Sequence, residues 1–439
     1  MPDPHISSDI EAETDGLVGQ GAHVRRSVLP GGIRVLTETM PGARSATFGA
    51  WVPVGSRDET ADCHGSTHFL EHLLFKGTRR RSALQIAQAF DQVGGEANAA
   101  TGKEHTCYYA RVRDEDLPMA VDVIGDMVTS ATLTPEDFAN ERGVILEELA
   151  MNDDDGADVA HERFAELVMG DSPLGRPIGG RPEDIEAVTR ERILEHYHEH
   201  YVPNALLVTA AGGLTHEHVC ELVAAATEHG GWTGTGQETP RPRRPGPGGA
   251  ADPGEGRDLW VDRPTEQTHI IIGGRSLPAT DPRRYTLALL STLLGGGMSS
   301  RLFQEVRERR GLAYSVYSFA SGYSDAGYFG VYAGCLPAKT TQVVDVLTGE
   351  LERIATELVP ADELARVVGQ VAGSMVLGLE DTGSRMSRLG RAELVYGELT
   401  NVDEVIARYR AVTREQIRDL AAELISQPRF QVVVGPEPT

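Results

Sequence analysis

The sequence of 439 residues lacks the features that mark membrane, secreted and nucleic-acid-binding proteins. It contains no apolar run of about 18 residues or more, so we expect no transmembrane helix. Its first residues are acidic and polar, without the basic start and apolar stretch of a secretory signal. The formal net charge of -24 argues against a nucleic-acid partner, since such partners bind basic surfaces. We therefore expect a cytoplasmic protein that binds neither membranes nor nucleic acids.

Cysteine is scarce in this sequence. The four cysteines are scattered and form no CxxC pair: Cys63, Cys107, Cys220 and Cys335. A disulfide scaffold or a cysteine-ligated zinc site would need a denser and more regular spacing. We expect these side chains to be reduced and mostly buried.

The length and composition predict two domains joined by a linker. Apolar residues make up 40% and charged residues 24% of the chain, which is ordinary for a globular protein. Proline, glycine and charged residues dominate the segment 234–257, which shows no periodic apolar pattern. We predict a disordered tail at 1–20, an N-terminal domain at 21–233, a linker at 234–257 and a C-terminal domain at 258–439.

The two predicted domains repeat one order of segments. The strand-like HTCYYARV, from His105, precedes the helical AVDVIGDMV and TPEDFANERGVILEEL. In the second half, AGYFGVYAG, from Ala326, precedes VVDVLTGEL and VPADELARVVGQ. Such self-similarity indicates a duplicated unit. We predict an α+β fold of two similar domains, each an antiparallel sheet backed by helices.

The segment THFLEHLL places two histidines and a carboxylate in an apolar helix. His68 and His72 are one helical turn apart, and Glu71 shares their face, with Ser66 or Thr67 as the predicted cap. Two imidazoles at this spacing can bind one Zn²⁺, and a neighbouring carboxylate can take a proton from water. The second half carries Ala288, Ser291 and Thr292 at the three corresponding positions. The helix therefore folds without the polar set, which favours a chemical role for it.

A third protein ligand is expected on the helix ANERGVILEEL. Glu141 and Glu148 are two turns apart on one face, so one can bind the metal while the other supports it. Glu147 lies about 100° away and is expected in solvent.

A second HxxEH sequence, from His196 to His200, ends a polar helix just before Pro203. It has little apolar packing to shield a metal. A short motif of this kind also occurs by chance. We therefore prefer His68 and His72 as the metal ligands.

These motifs together resemble the pitrilysin or insulinase-type metallopeptidases, which carry an inverted zinc motif. The resemblance runs from about Val24 to Val434 and is carried by HFLEH, ERGVILEEL, FKGT, NAATGKEHTCYYA and GGGMSSRLFQEVRERRGLAYSVYS. The match is closest to its short two-domain branch, which contains the mitochondrial processing peptidase β subunit and bacterial relatives. The resemblance implies one Zn²⁺ per chain and two domains that enclose a chamber. It assigns the zinc to His68, His72 and Glu148, general-base catalysis to Glu71, and support of the site to Glu141.

The resemblance also implies substrate-binding residues. An exposed edge strand that pairs with an extended peptide would contain Asn98, Ala99, Ala100 and Thr101. Arg307 and Tyr314 would bind the substrate backbone carbonyl and stabilise the oxyanion. Asp158 and Glu162 would favour basic residues in the substrate. The alternatives are an ordinary hairpin, a solvated basic turn and a solvated acidic helix start.

The predicted function is a zinc-dependent endopeptidase that cleaves short or unfolded peptides. The family implies a homodimer or a heterodimer with a related subunit. The alternative is a non-catalytic partner or scaffold subunit of a larger complex, which would not need an intact metal site.

Overall fold

The computed structural model describes residues 23–232 and 255–437. The predicted tail at 1–20 lies outside the described residues, as does the predicted linker at 234–257 except for 255–257. Within the described ranges, no helix has both the length and the apolar character needed to cross a membrane.

A six-stranded sheet forms the centre of the first half of the sequence. Its strands in chain order are β1 (His23–Val28), β2 (Arg34–Thr39), β3 (Ser45–Val52), β4 (Glu96–Thr101), β5 (Thr106–Arg113) and β6 (Leu207–Gly212). The spatial order is β1-β2-β6-β3-β5-β4, which places β4 at one edge.

A five-stranded sheet forms the centre of the second half. Its strands are β7 (Asp258–Asp262), β8 (Thr268–Ser276), β9 (Ala313–Gly322), β10 (Gly327–Cys335) and β11 (Phe430–Gly435). The spatial order is β7-β11-β8-β10-β9.

The two sheets share one topology, as expected of a duplicated unit. Strands β2, β6, β3, β5 and β4 correspond in order and direction to β7, β11, β8, β10 and β9. The α+β fold of two helix-backed sheets is confirmed. Both sheets are mainly antiparallel, as predicted, but each contains one parallel pair that was not predicted, β2 with β6 and β7 with β11. In each pair, a long intervening segment returns the chain to the same direction, and the strand pattern alone does not show this.

Helices surround both sheets. Their bounds are α1 (Ser66–Leu74), α2 (Ala83–Asp91), α3 (Leu117–Ser130), α4 (Pro135–Asp154), α5 (Gly156–Met169), α6 (Pro182–Ala187), α7 (Arg190–His200), α8 (His216–His229), α9 (Arg284–Gly295), α10 (Thr340–Thr356), α11 (Ala361–Gly378), α12 (Thr382–Arg391), α13 (Val402–Arg410) and α14 (Arg414–Ser426). Capping boxes start α2 and α14: Ser82 accepts from the Gln85 amide before α2, and Thr413 accepts from the Gln416 amide before α14.

The described residues form two compact units, and each unit takes in a helix from the other half of the sequence. The first unit contains 23–147, 178–232 and 376–403, and the second contains 148–177, 255–375 and 404–437. Helix α12 therefore belongs to the first unit and α5 to the second. The boundary falls inside the continuous helix α4, between Glu147 and Glu148. The contiguous domains 21–233 and 258–439 stay a prediction, to which the structure adds this exchange of helices.

Buried polar contacts attach α12 to the first sheet. Glu38 on β2 is 0% exposed and accepts hydrogen bonds from Arg385, and from Arg388 Nη2 at 3.4 Å. The hydroxyls of Thr47 and Thr382 are 2.8 Å apart. A buried carboxylate is stable only with such partners, so these arginines fix where α12 lies on the sheet.

Apolar contacts attach α5 to the second sheet. Its side chains Val159, Ala160, Phe164 and Val168 form one buried cluster with Ile271, Tyr332, Phe430, Val432 and Val434. The order of residues in α5 thus places its apolar side chains on the face that packs against the sheet, and its charged side chains on the other face.

Candidate metal centre

Helix α1 is held by its apolar residues, which leaves its two histidines and its glutamate on the less buried side. Its four apolar side chains are all 0% exposed: Phe69, Leu70, Leu73 and Leu74. His68, Glu71 and His72 are half-buried on the remaining face. The helical period alone therefore brings the two imidazoles and the carboxylate to one side.

A carboxylate from the preceding loop caps α1. Glu59, 6% exposed, accepts hydrogen bonds at 2.8 Å from the amides of Gly65 and Thr67. The prediction that Ser66 or Thr67 caps the helix is wrong, because Ser66 is already its first residue and Gly65 occupies the cap position at φ 81°. A negative charge at this end also interacts favourably with the helix dipole. No local pattern in the sequence marks Glu59 as the cap, because it reaches the helix end across a loop.

The predicted metal ligands lie together. One ligand atom from each of His68, His72 and Glu148 lies within 4.8 Å of the others, and no further such group occurs in the described parts of the chain. Two imidazoles and one carboxylate suit Zn²⁺, with a fourth position left for water or substrate. The continuous helix α4 supplies Glu148, while Glu147 is exposed, as expected from its position on the helix.

Glu141 contacts the metal-site histidine from α4, two turns before Glu148. Its Oε2 lies 3.2 Å from His72 Nδ1, and its Oε1 lies 2.7 Å from Lys76 Nζ. An ionised carboxylate only accepts hydrogen bonds, so Nδ1 of His72 is the donor, and Nε2 is the nitrogen that would bind a metal. Glu141 thus contacts one predicted metal ligand, and its supporting role stays a prediction.

The remaining carboxylate of α1 contacts the edge strand. Thr101, the last residue of β4, donates a hydrogen bond to Glu71 Oε2. Burial, and after it the negative charge of Glu71, raises the pKa of the neighbouring Cys107 thiol. Cys107 therefore stays a neutral thiol, which is not the form that binds zinc. Glu71 is thus held in place by the strand that the resemblance assigns to the substrate.

Strand β4, which the resemblance assigns to peptide binding, lies at an edge of the first sheet. It lies last in the sheet order, with β5 as its neighbour. Ala97, Ala99 and Thr101 are half-buried, while Asn98 and Ala100 are exposed. Thr101 places the half-buried face of the strand against Glu71.

The second HxxEH sequence supports α1 instead of forming a metal group of its own. His196 is 5% exposed, and its Nε2 lies 3.1 Å from the Thr67 hydroxyl. Its ring packs edge-on against His200 with the ring centroids 4.5 Å apart. Burial, together with the neighbouring charge of His200, lowers the pKa of His196 to about 3. His196 is therefore neutral in the folded protein and helps to place the first turn of α1.

This buried neutral histidine predicts a pH dependence of stability. The folded pKa is about 3 and the ordinary value is 6.5, so below pH 6.5 the unfolded chain binds a proton that the folded chain does not. The contribution is present above pH 6.5 and is lost as the pH falls toward 3, at up to about 1.4 kcal/mol per pH unit. Urea unfolding of the zinc-free protein at pH 7, 6 and 5 should show a shallower loss of free energy in His196→Gln. The exposed His218→Gln should keep the parental slope, and an equal slope in all three proteins would contradict the assignment.

The other predicted substrate residues lie in the second unit. The Arg307 guanidinium packs 4.3 Å from the Tyr314 ring centroid, and its Nη1 donates to the Tyr314 carbonyl at 3.1 Å. Tyr314 is 76% exposed. Asp158 and Glu162 are exposed, one turn apart on α5. The roles of these four residues stay predictions.

Family models match most of the described chain. Residues 34–181 match the model described as insulinase (peptidase family M16), and residues 187–371 match the model described as the peptidase M16 inactive domain. A Streptomyces coelicolor protein named an uncharacterized zinc protease is 50% identical over 97% of this chain and 93% of its own length. A Bacillus subtilis protein with the same description is 34% identical over 94% of this chain and 98% of its own length.

Solved structures show the same fold. A protease from Helicobacter pylori, 22% identical, superposes with a TM-score of 0.84 over 94% of this chain and 100% of its own. A peptidase M16 inactive domain from Pseudomonas fluorescens, 17% identical, has a TM-score of 0.83 over 95% and 99%. The matched models and the identity to relatives named as zinc proteases agree with the metal-ligand geometry. The chain belongs to the insulinase family of peptidases, family M16, in its short two-domain form.

Proposed function

We propose that this chain is a zinc-dependent endopeptidase that cleaves short or unfolded peptides. The observation that carries the proposal is that the ligand atoms of His68, His72 and Glu148 lie within 4.8 Å of one another. Glu71, on the same face of α1 as the two histidines, accepts a hydrogen bond from Thr101 of the edge strand. A non-catalytic subunit has no need to keep these four residues together.

The proposed chemistry is the addition of water to a peptide carbonyl. Zn²⁺, held by His68, His72 and Glu148 with one ion per chain, would supply a Lewis acid that polarises the carbonyl and makes water more acidic. Glu71 accepts a proton from the water as its oxygen bonds to the carbonyl carbon. The same carboxyl then gives that proton to the amide nitrogen as the C–N bond breaks. Thr101 keeps the Glu71 carboxylate in position through both steps.

The proposed substrate geometry follows from β4. An edge strand presents backbone groups that can pair with an extended chain, and this pairing depends little on the peptide's side chains. A peptide added beside Asn98–Thr101 would run past Glu71, because Thr101 belongs to this strand and its hydroxyl contacts the Glu71 carboxylate. Stable folded proteins cannot offer an extended backbone, so we propose unstructured peptides of roughly 10 to 60 residues as substrates.

Arg307 and Tyr314 are proposed to hold the substrate carbonyl and to stabilise the oxyanion, on the resemblance of VRERRGLAYS to the family pattern. Arg307→Ala and Tyr314→Phe should each lower kcat/KM by roughly 10²-fold, as expected when one donor to an oxyanion is lost. Zinc content should stay at the parental value in both variants, because neither residue belongs to the metal group. Arg309→Ala, which changes a neighbouring arginine paired with Glu305, is the matched control and should keep parental kinetics. Parental kcat/KM in Arg307→Ala would remove this residue from the site.

The finer features of the proposal rest on the resemblance. Asp158 and Glu162 are proposed to favour basic residues in the substrate, and their exposure on α5 supports access to such a peptide. A homodimer, or a heterodimer with a related subunit, is proposed on the same basis. A cytoplasmic location is proposed from the four scattered cysteines, which form no disulfide in the structure.

Peptide digestion with metal analysis tests the proposed function. The purified chain, with its zinc content measured, is incubated with a mixture of unstructured peptides and with one stable folded domain. Internal cleavage of the peptides should stop with a zinc chelator and return when Zn²⁺ is restored, while the folded domain should stay intact. Bound zinc without cleavage of any peptide would favour the non-catalytic alternative, and cleavage that resists the chelator would contradict the metal mechanism.

A further inference from the structure

Lys76 lies next to the metal site, although the site motif ends before it. Helix α1 ends at Leu74, and Lys76 follows one turn after His72. Its ammonium is 2.7 Å from Glu141 Oε1, with the lysine side chain 35% and the glutamate side chain 6% exposed. The other oxygen of the same carboxylate contacts His72 Nδ1 at 3.2 Å. One buried carboxylate thus links a cation on one side to a metal-ligand histidine on the other.

The backbone around Lys76 is fixed by contacts outside the site. The Lys76 amide donates to the Leu73 carbonyl at 3.1 Å, which continues the turn at the end of α1. The next carbonyl, of Gly77, accepts from the Thr132 amide at 3.1 Å. Thr78 then forms a β-bridge with Ala131 and donates to Asp126 at 2.7 Å. The loop therefore presents Lys76 to Glu141 from a fixed position.

We infer that Lys76 is a positioning residue of the metal centre, which holds the Glu141 carboxylate so that it orients His72 for Zn²⁺. The inference rests on the proposed zinc site and adds a residue to it. A carboxylate that is 6% exposed needs a partner for its charge. Without the ammonium, Glu141 would turn toward solvent or toward the metal position. In either case, His72 Nδ1 loses the acceptor that sets its ring orientation.

The consequence is an effect of Lys76 on zinc affinity that passes through Glu141. Groups that orient a metal ligand typically change metal affinity by about 10- to 100-fold when they are removed. Lys76→Met keeps most of the aliphatic stem and removes the charge, so its dissociation constant for Zn²⁺ should rise about 10-fold or more. Lys76→Arg keeps a cation and should remain within about threefold of the parental constant, since a guanidinium also pairs with a carboxylate.

A double-mutant cycle separates this route from a general effect on the fold. Zinc binding is measured by competition with a chromophoric chelator for the full chain, Lys76→Met, Glu141→Gln and the combined variant. The combined variant should bind Zn²⁺ like Glu141→Gln alone, because the lysine acts through that carboxylate. Arg80→Met is the matched control, since Arg80 is 34% exposed and pairs with Asp122 at 2.5 Å. It should keep parental affinity, and the melting temperatures of all zinc-free proteins are recorded beside it.

Two results would overturn the inference. One is a Lys76→Met constant that is unchanged or tighter than the parental one. The other is a loss of Zn²⁺ affinity on adding Lys76→Met to Glu141→Gln that equals the loss caused by Lys76→Met in the parental chain. If Lys76→Met does not fold, Lys76→Gln replaces it with the same expectations. A parental chain that binds no Zn²⁺ would instead contradict the proposed function itself, so the two failures are distinguishable.

Discussion

Glu71→Gln should bind Zn²⁺ like the parental chain and should cleave unstructured peptides roughly 10²- to 10⁴-fold more slowly, the usual range for loss of a general base. The amide has nearly the shape of the carboxylate, and its oxygen can still accept the hydrogen bond from Thr101. It cannot accept a proton from water at neutral pH. The metal ligands are unchanged, so binding and chemistry separate in this variant.

The measurement compares kcat, KM and zinc stoichiometry of Glu71→Gln with two other variants. Glu147→Gln, which changes an exposed glutamate on α4, should keep the parental rate and zinc content. His72→Ala should lose both zinc and activity, since it removes a ligand. A Glu71→Gln enzyme with the parental rate would show that another group takes the proton.

The part of the site that the sequence predicts is the part set by helical geometry. His68, Glu71 and His72 share a face because of their spacing, and the repeat of Glu141 and Glu148 along α4 places both toward the same side. Those positions follow from 3.6 residues per turn and need no knowledge of tertiary structure. Glu148 as the ligand, rather than Glu141, was supplied by the family resemblance.

The part that the sequence could not predict depends on contacts across loops. Glu59 caps α1 from six residues before Gly65, Lys76 reaches α4, and His196 approaches from α7. Each is an ordinary charged or polar residue in its local pattern. Only the folded chain shows which carboxylate or hydroxyl it meets, so local periodicity gives no signal for these roles.

The exchange of α5 and α12 between the two halves of the sequence is a third feature that the local sequence pattern does not predict. The apolar face of α5 and the charges of α12 predict that both helices pack against something. They do not say which sheet each one meets. In the structure, α5 from the first half covers β8 and β11, while α12 from the second half covers β2, β3 and β6. This arrangement makes the contiguous halves poor units for separate folding.

Glu393 shows how far the first sheet depends on the second half of the sequence. It follows α12 and pairs with Arg34 and, at 2.7 Å, with Arg26. Arg34 and Glu393 are both almost fully buried. Burial lowers the pKa of Arg34 to about 10, so it remains a cation at neutral pH. Removal of α12 and the turn after it would therefore leave a buried arginine and the buried Glu38 without their ion-pair partners in that segment.

A polypeptide of residues 21–233 alone should fail to give a cooperative unfolding transition and should aggregate. Breaking a buried ion pair from one side costs about 3–5 kcal/mol, which is comparable to the whole stability of many domains. The same fragment would also expose the apolar face of α5, including Phe164, because its sheet is absent.

Residues 234–439 produced together with 21–233 should restore both exchanged contacts. The pair should then co-purify, unfold cooperatively and recover zinc-dependent peptidase activity. As a second comparison, 21–233 with residues 376–403 appended through a flexible linker should be more soluble than 21–233 and should show a thermal transition that 21–233 lacks, although the second sheet for α5 is still missing. The same solubility and the same thermal unfolding curve for 21–233 with and without 376–403 would show that α12 does not stabilise the first sheet.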